Sequence, residues 1–274
     1  MTGRRSDFAA LFHCACLLRA KRKKRDVRAP ASHYSPPMNT SVEDRISRLD
    51  WAGIGASLDT AGAAVTGPLL TGAECDAISA LYANDEAFRS RIVISRHGFG
   101  SGEYKYFAYP LRPVIAALRK AVYPRLVPVA NRWHEQMGID VRFPDKLDAF
   151  LKRCHEADRQ RATPLLLRYR EGDYNCLHQD LYGEHVFPLQ LAILLSEPGK
   201  DFEGGEFVLT EQRPRTQSRA EVICLKKGEG VIFAVRHRPK QGTRGTYRVM
   251  LRHGISTIRR GERYTTGIIF HDAA

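Results

Sequence analysis

The second half of the chain constrains the fold most. From Leu165 onward, strand-like runs recur at Leu165–Arg170, Leu189–Leu195, Glu206–Leu209, Val222–Leu225, Gly230–Val235, Tyr247–Leu251 and Tyr264–Phe270. Turns rich in glycine, proline and charge separate them, and no helical pattern intervenes. Parallel strands need a crossover of about a dozen residues or more for each return, usually a helix. Short strands without helices between them pair antiparallel instead, as a double-sheet roll or barrel.

The preceding stretch reads mostly as helix. "SVED" opens a helix at Ser41 with a capping box, followed by apolar residues at Ile46, Leu49, Ile54 and Leu58. A second box, Thr71 with Glu74, starts "TGAECDAISALYAN". "GAAVTGPLL" reads as a short strand and "RIVISRHGFGSGEYKYFAY" as strands around a turn. Leu111 to Met137 is helical with interruptions expected at Pro124 and Pro128, where a backbone donor is missing. Pro144 to Arg161 reads as another helix, with Leu147, Phe150, Leu151 and Cys154 on one face. The expected fold class is therefore α+β: a jelly-roll (double-stranded β-helix) core over residues 164–274, with a helical N-terminal part, residues 38–163, packed against it.

Residues 1–37 stand apart. They carry nine basic and two acidic side chains, so 7 of the +13 formal charge of this 274-residue chain lies there. The short apolar piece Phe8–Leu18 precedes "RAKRKKR", the reverse of the charge order of a secretory signal. Three readings fit: a nucleic-acid-binding arm, a disordered basic extension, or a start of translation at Met38. The remainder is mildly basic, which permits a polyanionic partner without demanding one. No run of ~18 apolar residues suggests a membrane span. The six cysteines form no CxxC pair, as expected of reduced thiols in the cytoplasm.

One polar cluster interrupts the apolar runs. "HQD" places His178 and Asp180 two residues apart, so on extended chain both project to the same side. An imidazole and a carboxylate suit a divalent metal, and a third nitrogen would complete the 2-His-1-carboxylate face of a non-haem iron site. Downstream, "RHGISTIRRGERYTTGIIF" carries His253 on a strand and Arg263 ten residues later, at the start of the next.

In residue type, order and spacing, this set resembles the Fe(II)/2-oxoglutarate-dependent dioxygenases, over roughly Leu165 to His271. The resemblance implies that His178, Asp180 and His253 hold Fe(II), and that 2-oxoglutarate and O2 take the open positions. Arg263 would then grip the far carboxylate of 2-oxoglutarate, a task that suits its planar fork. His237 rivals His253, but no arginine follows it at the right offset on a strand. His185 and His271 read as a loop polar group and a supporting or surface group. Tyr169, in "RYREGDYNCLHQD", is either a core tyrosine or a hydroxyl on the cosubstrate, as in AlkB-type base dealkylases. The "EGGE" turn at Gly204 and Gly205 resembles prolyl-hydroxylase-like members.

The substrate is read from charge and from resemblance. Arg213, Arg215 and Arg219, with Arg236, Arg238, Lys240, Arg244 and Arg248, populate two basic loops expected near the mouth of the site. They would hold phosphates, or else pair with the chain's own carboxylates. Tyr174, Tyr182 and Phe187 flank the HxD and could stack on a base. As a whole the chain resembles a bacterial oxygenase family proposed to act on damaged DNA. Three functions follow: oxidative demethylation of alkylated bases in DNA or RNA, hydroxylation of a protein side chain, and a non-enzymatic basic nucleic-acid-binding module.

Overall fold

The computed structural model of the chain describes residues 40–180 and 186–274. The segment 1–37, Tyr182 and His185 lie outside the described residues. The helices are α1 (Val42–Ser47), α2 (Trp51–Ala61), α3 (Gly72–Ala80), α4 (Pro113–Gln136) and α5 (Leu147–Glu156). The strands are β1 (Ala63–Pro68), β2 (Phe88–Val93), β3 (Gly100–Ser101), β4 (Glu103–Phe107), β5 (Leu165–Arg170), β6 (Tyr174–His178), β7 (Leu189–Leu194), β8 (Phe202–Gly204), β9 (Phe207–Gln212), β10 (Arg219–Ile223), β11 (Glu229–Ala234), β12 (His237–Gly242), β13 (Gly245–Ile255) and β14 (Ile258–Ile268).

Two antiparallel sheets form a jelly roll. The larger runs β1-β11-β7-β14-β5-β4-β2, with β8 added on β14. The smaller runs β10-β9-β13-β6-β3, with β12 added on β13. Strands from both sides of residue 163 share these sheets. β4 pairs with β5, β3 with β6, and β1 with β11. The N-terminal part thus widens both sheets as well as supplying helices.

Alternation along β14 organises the core. Arg263, Thr265, Gly267, Ile269 and His271 line a cavity between the sheets. The intervening side chains face the helices, where Phe270 meets the rings of Tyr123 and Phe187. Phe187 belongs to this aromatic cluster with Phe143 and Phe150, fully buried, and is not free to stack on a base.

The helix boundaries depart from the sequence reading for physical reasons. Asp50 caps a new helix by accepting from the Gly53 N–H, so the expected first helix is two, α1 and α2. Pro124 and Pro128 do not interrupt α4. They lie four apart on its exposed face, so each carbonyl left without a donor meets water, while Leu118, Val122, Leu126, Ala130 and Trp133 hold the other face in the core.

β12 was expected to be loop because "RHRPKQG" is polar and contains proline. It pairs with β13 alone, and such an edge strand tolerates a missing N–H at Pro239. This overturns the role expected for Arg238. Its side chain is 1% exposed, ion-paired to buried Glu211 and bonded to the Asp59 carbonyl at 3.0 Å, so it offers nothing to a phosphate. Replacing Glu211 with Leu should leave this guanidinium buried without a carboxylate and cost about 3–5 kcal/mol. Urea unfolding measures it, and the double variant Glu211→Leu/Arg238→Leu should recover most of the loss.

Candidate metal centre

β6 and β13 pair so that His178 lies directly opposite His253. Asp180, two residues beyond His178, reaches between them. Its Oδ1 is 3.4 Å from His178 Nε2 and its Oδ2 is 3.4 Å from His253 Nε2. One ligand atom from each residue falls within 4.8 Å of the other two. Adjacent ligands about 2.1 Å from an octahedral metal lie about 3 Å apart, so this face fits a first-row divalent ion.

The surroundings aim the rings. His178 Nδ1 lies 2.8 Å from the Cys176 carbonyl, which makes it the N–H donor and leaves the Nε2 lone pair facing Asp180. Gln179 points the other way and donates to the Leu251 carbonyl at 2.8 Å, anchoring the turn to β13. Phe207 stacks parallel to His253 at 6.0 Å, and Phe233 leans on it at 4.6 Å. Gly254 allows the strands to meet beside it, since a Cβ there would lie 2.6 Å from the Asn175 carbonyl oxygen. Burial opposes the charge on Asp180, yet the two imidazoles outweigh it and hold the carboxyl far below its usual range. Burial pushes His253 down against the pull of Asp180, while at His178 the carboxylate outweighs burial and raises it. Among the described residues no other His, Cys, Asp or Glu set gathers in this way.

Arg263 faces the same cavity from the opposite sheet. It is 3% exposed, and among the described residues its one hydrogen-bond acceptor is the Thr265 hydroxyl, 2.6 Å from Nη1, and Nε has no partner. Burial pulls its pKa down to about 10 despite Tyr169 and Glu206 nearby. Glu206 is bonded to Ser256 and Arg259 instead. A buried guanidinium without a bonded carboxylate calls for an anion, which is what one end of 2-oxoglutarate provides. Tyr169 pairs with Arg263 across β5 and β14, is fully buried, and has its hydroxyl 3.3 Å from the Asn175 amide. Gly205 leaves room for the arginine: its φ is +62°, and a Cβ would lie 2.9 Å from Arg263 Cδ. The residues present therefore fit both iron and the cosubstrate.

The cavity holds about 550 Å³, within the usual range for a small-molecule site. Beyond the metal cluster and Arg263, its walls include Tyr104, Tyr106, Arg89, His97, Phe99, Gln190 and His271. Arg213, Arg215, Arg238 and Arg244 do not line it. Arg213 is engaged with Glu211 at 2.7 Å. Arg244 sits at the β12–β13 turn, nine residues from His253, or about 30 Å along an extended strand. His237 pairs with Met250 on β12, outside the cluster, and Tyr174 is an exposed side chain off the cavity wall. Sequence reading missed Tyr104, Tyr106, Arg89 and Gln190. The alternation in "EYKYF" was the one available signal for the tyrosines.

Residues 102–273 match the model of the Oxygenase-NA family, described as an oxygenase catalysing oxidative methylation of damaged DNA. The chain belongs to this family. It is also 52% identical over 168 residues to uncharacterized proteins from two strains of Mycobacterium tuberculosis, covering 61% of this chain and 72% of theirs. Among solved structures, it resembles a Pseudomonas putida prolyl-4-hydroxylase at 15% identity, covering 80% of this chain and 97% of the other, with a TM-score of 0.49. A 2OG-Fe(II) family oxidoreductase from Burkholderia pseudomallei gives 16%, 82% and 93%, also at 0.49. The family is one of oxygenases, and within this chain the His178–Asp180–His253 cluster is the set that fits such chemistry.

Alanine at His178, Asp180 or His253 should abolish stoichiometric binding of Co(II), read from its visible absorption, whereas His237→Ala should retain it. Arg263→Lys should weaken 2-oxoglutarate binding by roughly 10- to 100-fold, the worth of a charge-assisted hydrogen bond, with metal affinity unchanged in calorimetry.

Proposed function

We propose that this chain is a 2-oxoglutarate-dependent Fe(II) dioxygenase that removes alkyl groups from nucleobases presented one at a time to the cavity, with His178, Asp180 and His253 as iron ligands and Arg263 and Tyr169 as the 2-oxoglutarate clamp. The observation that carries this reading, beside the family description, is the wall beyond the metal. Tyr104 and Tyr106 project from β4 into the cavity with ring centroids 5.3 Å apart at 89°. The Arg89 guanidinium lies 4.4 Å from the Tyr106 ring centroid. Aromatic faces and a guanidinium plane are the surfaces on which a planar base stacks, whatever its identity.

The bound iron, 2-oxoglutarate and O2 supply oxidation of a C–H bond, one oxygen atom entering the substrate as hydroxyl and the other entering succinate as CO2 is lost. On an N-methyl group the hydroxylated carbon leaves as formaldehyde, the nitrogen keeping the hydroxyl proton. The chain's own residues orient the reactants. Arg263 and Tyr169 hold the cosubstrate's distal end, and the Phe207 and Phe233 rings keep the cavity apolar around His253. A base in a duplex cannot reach such a site, so the substrate is single-stranded or flipped.

Arg215 and Arg244 are exposed but distant from the cavity. Their part in this reading is contact with the backbone of a longer strand, a salt-dependent contribution without sequence preference. A single-stranded oligonucleotide carrying an N-methylated base should release formaldehyde and drive succinate formation, and proline-containing peptides should not. Arg89→Ala and Tyr106→Ala should each lower that release by about tenfold. Release driven by peptides alone would replace base dealkylation with protein hydroxylation.

A further inference from the structure

Two polar side chains line the far end of the cavity, both almost wholly buried. His271 is 5% exposed and lines the cavity. Its Nδ1 receives the backbone N–H of Phe187 at 3.3 Å, so Nδ1 carries no proton and Nε2 must carry it. Burial, followed by the nearby Arg119, pulls its pKa down to about 4, so the ring stays a neutral donor at neutral pH. Its backbone is held on both sides: the Thr163 hydroxyl donates to the His271 carbonyl, and Asp272 is locked to Arg119 at 2.8 Å. Gln190 on β7 is also 5% exposed, and its buried amide nitrogen has no partner. The register of β7 against β14 sets Leu191 beside Ile268, which brings Gln190 to the level of Ile269, two residues before His271.

Charge at this end is positive. Arg89 donates through Nε to the Ala162 carbonyl at 2.7 Å and, among the described residues, bonds no carboxylate. Asp180 is the one carboxylate among the described lining residues, and it lies between the two imidazoles. Asp272, although close in sequence to His271, is fully buried against Arg119, His155 and Tyr109 and faces away from the cavity.

We infer that His271 and Gln190 select a neutral base whose ring carbonyls flank the alkylated nitrogen, and that the cavity disfavours cationic alkylated bases. This rests on the base-dealkylation reading above and specifies which bases it covers. N3-methylthymine has the required chemistry: it is uncharged, and two carbonyl oxygens flank its N-methyl group as acceptors for two donors. N1-methyladenine carries a positive charge that the Arg89 end of the cavity repels, and it has no carbonyl for either donor. A site that hydrogen-bonds its substrate through buried donors rejects an analogue that leaves them unpaired.

The test compares formaldehyde release from two single-stranded oligonucleotides that differ only in carrying N3-methylthymine or N1-methyladenine. The wild-type enzyme should favour N3-methylthymine by about tenfold or more. Gln190→Glu, which puts a carboxylate at the same place, should move the ratio toward N1-methyladenine, and His271→Phe should reduce release from N3-methylthymine selectively. Thermal melting and Co(II) binding establish that each variant is folded. If Gln190→Glu fails this control, the His271→Phe ratio decides. Equal or greater release from N1-methyladenine by the wild type, or ratios unmoved in folded variants, would overturn the inference while base dealkylation stands. Release from neither oligonucleotide would overturn both.

Discussion

A guanidinium sealed from water with one hydroxyl as its bonded acceptor is the constraint around which the site is arranged. Burying an unpaired charge costs several kcal/mol, so the fold without ligand holds Arg263 at a disadvantage that an anion relieves. Everything near it keeps that position open. Glu206, the carboxylate that could have neutralised it, is engaged by Ser256 and Arg259. Gly205 forgoes a side chain to admit the arginine stem, and Tyr169 stands opposite in register. An anion bound there, such as one carboxylate of 2-oxoglutarate, would draw affinity from relief of that stress.

The two sheets divide the work. The larger is a wall on which strand alternation converts chain order into position: Arg263 at one end, Thr265 and Gly267 along the middle, Ile269 and His271 at the far end. The smaller sheet carries the metal cluster through the His178–His253 pair. Because both histidines sit on paired strands rather than free loops, their separation is set by backbone hydrogen bonds. The helices contribute at a distance. α4 supplies Arg119, whose Nε and Nη2 bind the Ile269 carbonyl and Asp272, and this clamp fixes the segment that presents His271.

Much of this was legible in the chain because it is local. The β5 and β11 runs lie within a residue of where their apolar patterns put them, and the Ser41 and Thr71 capping boxes form as read. The candidate site residues were read from spacing, HxD and then histidine with arginine ten residues on, and the fold brings all four to one cavity. What was misread depends on contacts between distant segments. Arg238 looked like a free cation because its partner, Glu211, is 27 residues away and meets it only after β9 and β12 flank β13. The prolines of α4 looked like breaks because their orientation toward solvent is set by what the opposite face buries. The cavity wall beyond the metal cluster was invisible for the same reason, since Tyr106, Arg89, Gln190 and His271 become neighbours of one cavity only through the order of strands in the larger sheet.

One cavity should hold iron on His178, Asp180 and His253 while Arg263 secures 2-oxoglutarate beside it. Anaerobic titration of the apoprotein with Fe(II) and then 2-oxoglutarate tests this directly, because a cosubstrate bound through its keto acid to the metal gives a visible charge-transfer absorption band. The band should appear and saturate at one iron per chain. It should be absent in Asp180→Ala, and in Arg263→Lys it should require a higher 2-oxoglutarate concentration. A band of full strength in His253→Ala, or a 2-oxoglutarate dependence unchanged in Arg263→Lys, would contradict this arrangement.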